Sequence, residues 1–203
     1  MLLLLGDGTQ VPVTELPGDG PWTFLVLQPE APGVAAPDPG SAAAGQRPAE
    51  LGPGPDAGLA GPEPGAVARA LTRFGRAVVP DLRARPGWGA RPGGPGLLDL
   101  VDDLDQVRTR AGLGRPLLVG LGELAPLALR AAADQPWAGR ALVLAHPTTG
   151  PAATPDLDQV DLPALALDAD PASAAGMAAL ERLLGRLGGG PGWAGIAPDA
   201  PPR

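Results

Sequence analysis

The sequence predicts an α/β fold: a mainly parallel, doubly wound sheet with an antiparallel N-terminal hairpin. Three observations carry this. The first 27 residues read as strand, turn, strand, turn, strand. From residue 66 onward, short apolar runs alternate with segments of helical period, the pattern of parallel strands joined by covering helices. The chain has 203 residues, the length of one domain or of a domain with a tail.

Met1 to Leu5, Val11 to Glu15 and Phe24 to Leu27 are apolar or alternating, and Asp7-Gly8 and Gly18-Asp19-Gly20 punctuate them as turns. From residue 28 to about 65 the chain is Pro, Gly and Ala without an aromatic residue. Such a stretch buries too little apolar area to offset the entropy of ordering it, so it reads as a flexible, low-complexity insertion. Ala66 to Arg73 is a short helix and Arg76 to Pro80 a strand. Leu97, Leu100, Val101, Leu104 and Val107 recur at helical spacing, which assigns Asp99, Asp102 and Asp103 to a solvated face. Gly112 and Gly114 end that helix, and a strand runs from Pro116 to Val119. Leu124 to Ala133 is apolar nearly all round, as a buried helix is. Strands at 141–145 and 163–167 follow, then a helix striped by Met177, Leu180, Leu184 and Leu187. Residues 1–187 therefore form one interrupted domain, and 188–203 a disordered tail.

Composition removes whole classes of chemistry. The chain has no Cys, which excludes thiolate metal sites and cysteine nucleophiles. All 15 cations are Arg, His146 is the sole histidine, and Ser41 and Ser173 are the only serines. A net charge of -7 with scattered cations argues against nucleic acid as a partner. No apolar run approaches the roughly 20 residues that cross a bilayer, and the opening apolar run lacks the basic start of a signal peptide. These features predict a cytoplasmic protein with no membrane partner. The bias to Ala, Gly, Pro and Arg suggests a bacterium with a GC-rich genome. Asp99, Asp102, Asp103 and Asp105 match no calcium-loop spacing, and Gly120-Leu121-Gly122 lacks the rest of a phosphate-binding fingerprint. No metal and no cofactor is expected.

From Arg76 to Ser173 a series of motifs resembles the α/β-hydrolase family. RAVVPDLRARPGWG is similar to its strand and Pro-Asp loop, and LLDLVDDLDQVRTRAGLGRPLLVGLGELAPLALRAA to its helix, nucleophile strand and following helix. GRALVLAHP and PALALDADP resemble the next two strands, the second of which carries the catalytic acid; FLVLQPEAPG stands where the family places the strand before its oxyanion hole. The resemblance implies an α/β-hydrolase-like sheet. It also implies that the G-x-S-x-G elbow, which lifts a serine on a strained strand-to-helix turn, falls on Gly120, Leu121, Gly122, Glu123 and Leu124.

On that alignment the nucleophile position is Gly122, which has no side chain. A register shifted by one would make Glu123 the nucleophile but would put Leu121 where a small residue is needed; Glu123 also suits a helix N-terminus, where the dipole favours a carboxylate. The family's basic histidine follows a final strand, and beyond Leu187 there is neither histidine nor a strand pattern, so the last strand reads as missing. Asp170, or Asp168 beside it, matches the acid. The oxyanion-hole loop would be Gln28-Pro29-Glu30, with Pro29 lacking an N–H, and the NH of Glu123 would be the second donor. His146, at the end of the 141–145 strand, is either a packing residue or a group facing the cleft.

The expectation is a lidless protein of this fold with a degenerate triad, a pseudoenzyme whose cleft binds a small molecule or protein partner through Gln28, Glu30, Gly120, Leu121, Gly122, Glu123 and His146. Two alternatives remain open. One is an atypical enzyme of isomerase, epimerase or lyase type, with Glu123, Asp170 and His146 at the cleft; the other is a truncated remnant without activity.

Overall fold

The computed structural model describes residues 1–29, 65–84, 96–136, 139–146, 157–167 and 171–188. The insertion at 30–64, Glu30, Ser41, Asp168, Asp170 and the tail beyond 188 lie outside them. Seven strands are described: β1 (Leu2–Leu4), β2 (Gln10–Leu16), β3 (Trp22–Leu27), β4 (Gly75–Pro80), β5 (Leu117–Leu121), β6 (Ala141–Ala145) and β7 (Ala164–Leu167). The helices are α1 (Ala66–Leu71), α2 (Leu97–Arg110), α3 (Ala125–Asp134) and α4 (Ala174–Gly188). Helix α4 thus includes the first residue assigned to the tail.

The strands form one sheet in the order β1-β2-β4-β3-β5-β6-β7. The β1–β2 hairpin is antiparallel, and β2 also runs antiparallel to β4. All other pairs are parallel. The mainly parallel α/β sheet with an antiparallel N-terminal hairpin is therefore present. The third opening strand, however, does not pair with the second. The connection through α1 places β4 parallel beside β3, and β4 takes the position next to β2.

The strand sequences follow from this arrangement. In β6, ALVLA is buried at all five positions, because a parallel strand inside the sheet is covered on both faces. One face packs Leu25, Leu27, Val78, Leu118, Leu142 and Leu144 against α2 and α3. The other packs Phe24, Val26, Val79, Val119 and Val143 against α1 and α4. In β2, by contrast, Val11 and Val13 are buried while Pro12 and Thr14 are half-buried, since only one face is covered.

Local chemistry sets the helix ends. The Asp99 carboxylate accepts the Gly96 N–H at 2.8 Å, satisfying an otherwise unpaired donor at the start of α2. At α4 the direction is reversed: Ser173 Oγ, just before the helix, accepts the N–H of Gly176 within its first turn at 3.1 Å. On α2, Asp99 and Asp102 are exposed as the periodicity indicates, but Asp103 is only 3% exposed. It lies beside Leu100, Val101, Leu104 and Val107 at the margin of the apolar stripe, and a 3.6-residue pattern read on one helix does not reveal how far burial extends past that margin. The β1–β2 hairpin meets α2 through the Gly6 N–H, which donates to Gln106 Oε1 at 2.6 Å.

Candidate functional site

The carboxyl ends of the parallel strands form a crest, where ligand clefts of open α/β sheets lie. Register aligns it: Leu27 pairs with Gly120, Leu121 with Ala145, and Ala145 with Leu167. The next residues, Gln28, Gly122 and His146, therefore emerge together on β3, β5 and β6.

At the end of β5 the chain turns sharply into a 3₁₀ turn, Gly122–Leu124, and then into α3. Gly122 makes the turn with φ +53°, the left-handed region that side chains adopt only at a cost. Two residues earlier, a Cβ on Gly120 would lie 2.6 Å from Ala128 Cβ and 2.8 Å from Ala125 Cα. Only glycine lets α3 pack this closely on β5. The two glycines thus have different causes, helix contact at Gly120 and backbone sign at Gly122. The Gly122 position is not crowded, since its nearest neighbour would be Pro29 Cγ at 3.6 Å.

Glu123 does not take the positive-φ position, so the shifted register has no elbow of its own. Its side chain is 60% exposed and forms an ion pair with Arg83, Nη2 to Oε1 at 2.5 Å. Arg83 lies in the 3₁₀ turn Leu82–Ala84 after β4, so the pair joins the two strand ends that flank β3. The pairing was not legible in sequence, because 40 residues separate the partners. The Glu123 N–H has no protein acceptor among the described residues and is one donor available at the elbow.

His146 is exposed and is the one non-glycine described with positive φ, +48°. Its N–H donates to Leu167 O at 3.1 Å, which ties the turn to β7. Its ring is neither buried nor packed into the core. Gln28 Oε1 accepts the Gly65 N–H at 3.0 Å, joining the residue after β3 to the residue before α1. The expected boundaries of the insertion, 28 and 65, are thus fastened to each other. Leu121 is half-buried and packs with the apolar cluster beneath α1 and α4. Of the expected cleft residues, Gln28, Gly122, Glu123 and His146 lie at the strand ends of the crest, Gly120 and Leu121 lie just before them on β5, and Glu30, Asp168 and Asp170 lie outside the described residues. Ser173, the described serine, is the α4 cap.

No protein-family model matches the chain, and no curated protein matches it. Solved structures similar to it include a deformylase from Pseudomonas putida, 20% identical, TM-score 0.45, covering 72% of this chain and 46% of its own. An alpha/beta hydrolase from Sphaerobacter thermophilus is 22% identical, TM-score 0.44, covering 72% and 45%. A hydrolase from Pseudomonas aeruginosa is 20% identical, TM-score 0.46, covering 75% and 48%. The chain thus spans less than half the length of each. The sheet order, the antiparallel β2 and the β5–elbow–α3 turn agree with the α/β-hydrolase resemblance seen in the motifs. No described helix is long and apolar enough to cross a membrane.

Proposed function

We propose that this chain is a non-hydrolytic protein of α/β-hydrolase type, a pseudoenzyme that uses the crest around Gly122 to bind a small molecule or a protein partner. The observation that carries the reading is the elbow itself: the turn that would lift a nucleophile is built, with φ +53°, and the residue on it is glycine. Support comes from the neighbouring groups. Glu123 is ion-paired with Arg83, and Ser173 Oγ is engaged as a cap. Loss of the nucleophile or the base from a serine triad costs on the order of 10⁴ to 10⁶ in rate. The test has two arms, an assay with activated short-chain esters and a thermal-shift screen with metabolites. The expected result is no hydrolysis above a heat-killed control and a raised melting temperature with at least one ligand, since binding to the folded state alone must stabilise it. Turnover abolished by a serine-directed fluorophosphonate would overturn the proposal.

A second reading, proton-transfer chemistry of isomerase or lyase type, is favoured by one feature. His146 keeps an imidazole at the crest beside Gly122 on a backbone conformation that stores strain, and strained non-glycine residues cluster at active sites. General base catalysis by His146 would show as substrate turnover lost in His146→Gln with binding retained.

A further inference from the structure

The sheet ends on β1, and the chain there is apolar without interruption from Met1 to Leu5. The Met1 ammonium donates to Val13 O at 2.6 Å, the Val13 N–H to Met1 O at 2.7 Å and the Leu5 N–H to Thr9 O at 2.7 Å. Bonded pairs alternate along an antiparallel ladder, so the N–H and C=O groups of Leu2 and Leu4 point away from β2, along the open edge. Among the described residues these groups have no partner.

The side chains divide in the same way. Leu3 packs on the core cluster that contains Leu5, Val11 and Val13. Leu2 and Leu4 face the other side of the sheet, where of the β1 and β2 residues only Leu16 reaches the apolar cluster beneath α1 and α4. Leu2 is 36% exposed, Leu4 53% and Met1 55%, so three of the five exposed large apolar side chains among the described residues stand on this one edge. Clustered apolar exposure marks a contact surface. The devices that keep sheet edges apart, a charge, a proline or a bulge, are absent between Met1 and Leu5, where the register with β2 runs without a break.

We infer that β1 is a pairing edge for a second copy of this chain, joined antiparallel across a twofold axis at Leu3. About that axis Leu2 stands opposite Leu4 of the second copy, and the two exchange N–H···O=C bonds in both directions on each side of the axis. Pivoting on Leu2 or Leu4 instead halves these bonds, because the groups of residues 1, 3 and 5 are spent on β2. Identity of residues 2, 3 and 4 makes the strand its own complement: leucine meets leucine on both faces, and no charge is enclosed. That self-match singles out a second copy over an unrelated peptide, and a twofold contact closes at two copies. Stable interfaces bury about 800 Å² per partner, more than a strand of 3 residues supplies. The association is therefore reversible, with a dissociation constant on the order of 10–100 µM. It uses none of the crest residues, so it stands or falls apart from the proposed function.

Sedimentation velocity on the full chain, untagged at its first residue, tests this from about 1 to about 500 µM, a range that brackets the expected constant. The expected result is a monomer that passes reversibly to a dimer and no further. Leu2→Lys and Leu4→Lys put a charge into the leucine contact and should each weaken the dimer about tenfold or more. Leu157→Lys, an exposed position in the turn before β7 at the other edge of the sheet, should leave it unchanged. Circular dichroism establishes that the variants fold. Amide exchange on the unmodified chain supplies a reading that needs no variant: the Leu2 and Leu4 amides should become protected as concentration rises, and those of Ala164 and Ala166 on β7 should not. A monomer throughout the range refutes the inference. So does a dimer that Leu4→Lys leaves intact or that Leu157→Lys weakens equally, and so does growth beyond two copies, which would mean open pairing rather than a twofold.

Discussion

Placing a serine at position 122 separates the two things an elbow needs, a side chain and a base. In Gly122→Ser the new Cβ has room, its nearest neighbour being Pro29 Cγ at 3.6 Å. The cost is therefore that of the backbone, which holds φ at +53°. A residue with a Cβ in the left-handed region loses roughly 1–2 kcal/mol relative to glycine. For a domain of this size each kcal/mol moves the melting temperature by about 2–4 °C, so the variant should melt lower by several degrees and still fold cooperatively. Gly122→Ala should lose the same amount and Gly122→Asn less, because asparagine tolerates this conformation best. Scanning calorimetry on the three variants reads the ranking. The new hydroxyl should also remain inert to fluorophosphonate and to activated esters, because among the described residues only Pro29 Cγ comes within 4 Å of its Cβ. Equal melting temperatures for all three and the parent would show that the turn is not strained, and rapid labelling of the serine would show that a base had been overlooked.

Three further outcomes follow from the same geometry. Gly120→Ala should be destabilised by about 1–3 kcal/mol through overpacking, because its Cβ would stand 2.6 Å from Ala128 Cβ; chemical denaturation would register a lowered midpoint, whereas an unchanged one would mean that α3 can retreat from β5. His146→Gly should raise stability by about 1 kcal/mol by relieving the positive φ, and a fall instead would mean that the ring makes contacts worth more than the strain. Leu142→Ala, at a position with no exposure, should cost about 2–5 kcal/mol, while Leu98→Ala, 58% exposed, should change stability by less than about 0.5 kcal/mol; similar losses at both sites would contradict the packing described.

What the sequence determined by itself was local. Apolar runs such as Ala141–Ala145 and the helical stripe from Leu97 to Val107 announce their elements because strand and helix periods are written in neighbouring residues. The glycine on the elbow was legible only through the family resemblance, as a short motif following an apolar strand. The tertiary structure decided what depends on distant partners. It inserted β4 between β2 and β3, paired Arg83 with Glu123, tied Gln28 to Gly65, and buried Asp103. It also brought the start of β3, the turn before β5 and the residue before β6 around one cavity. None of these has a period or a spacing. Each arises where the sheet brings together residues tens of positions apart, and that juxtaposition is a property of strand order rather than of any segment.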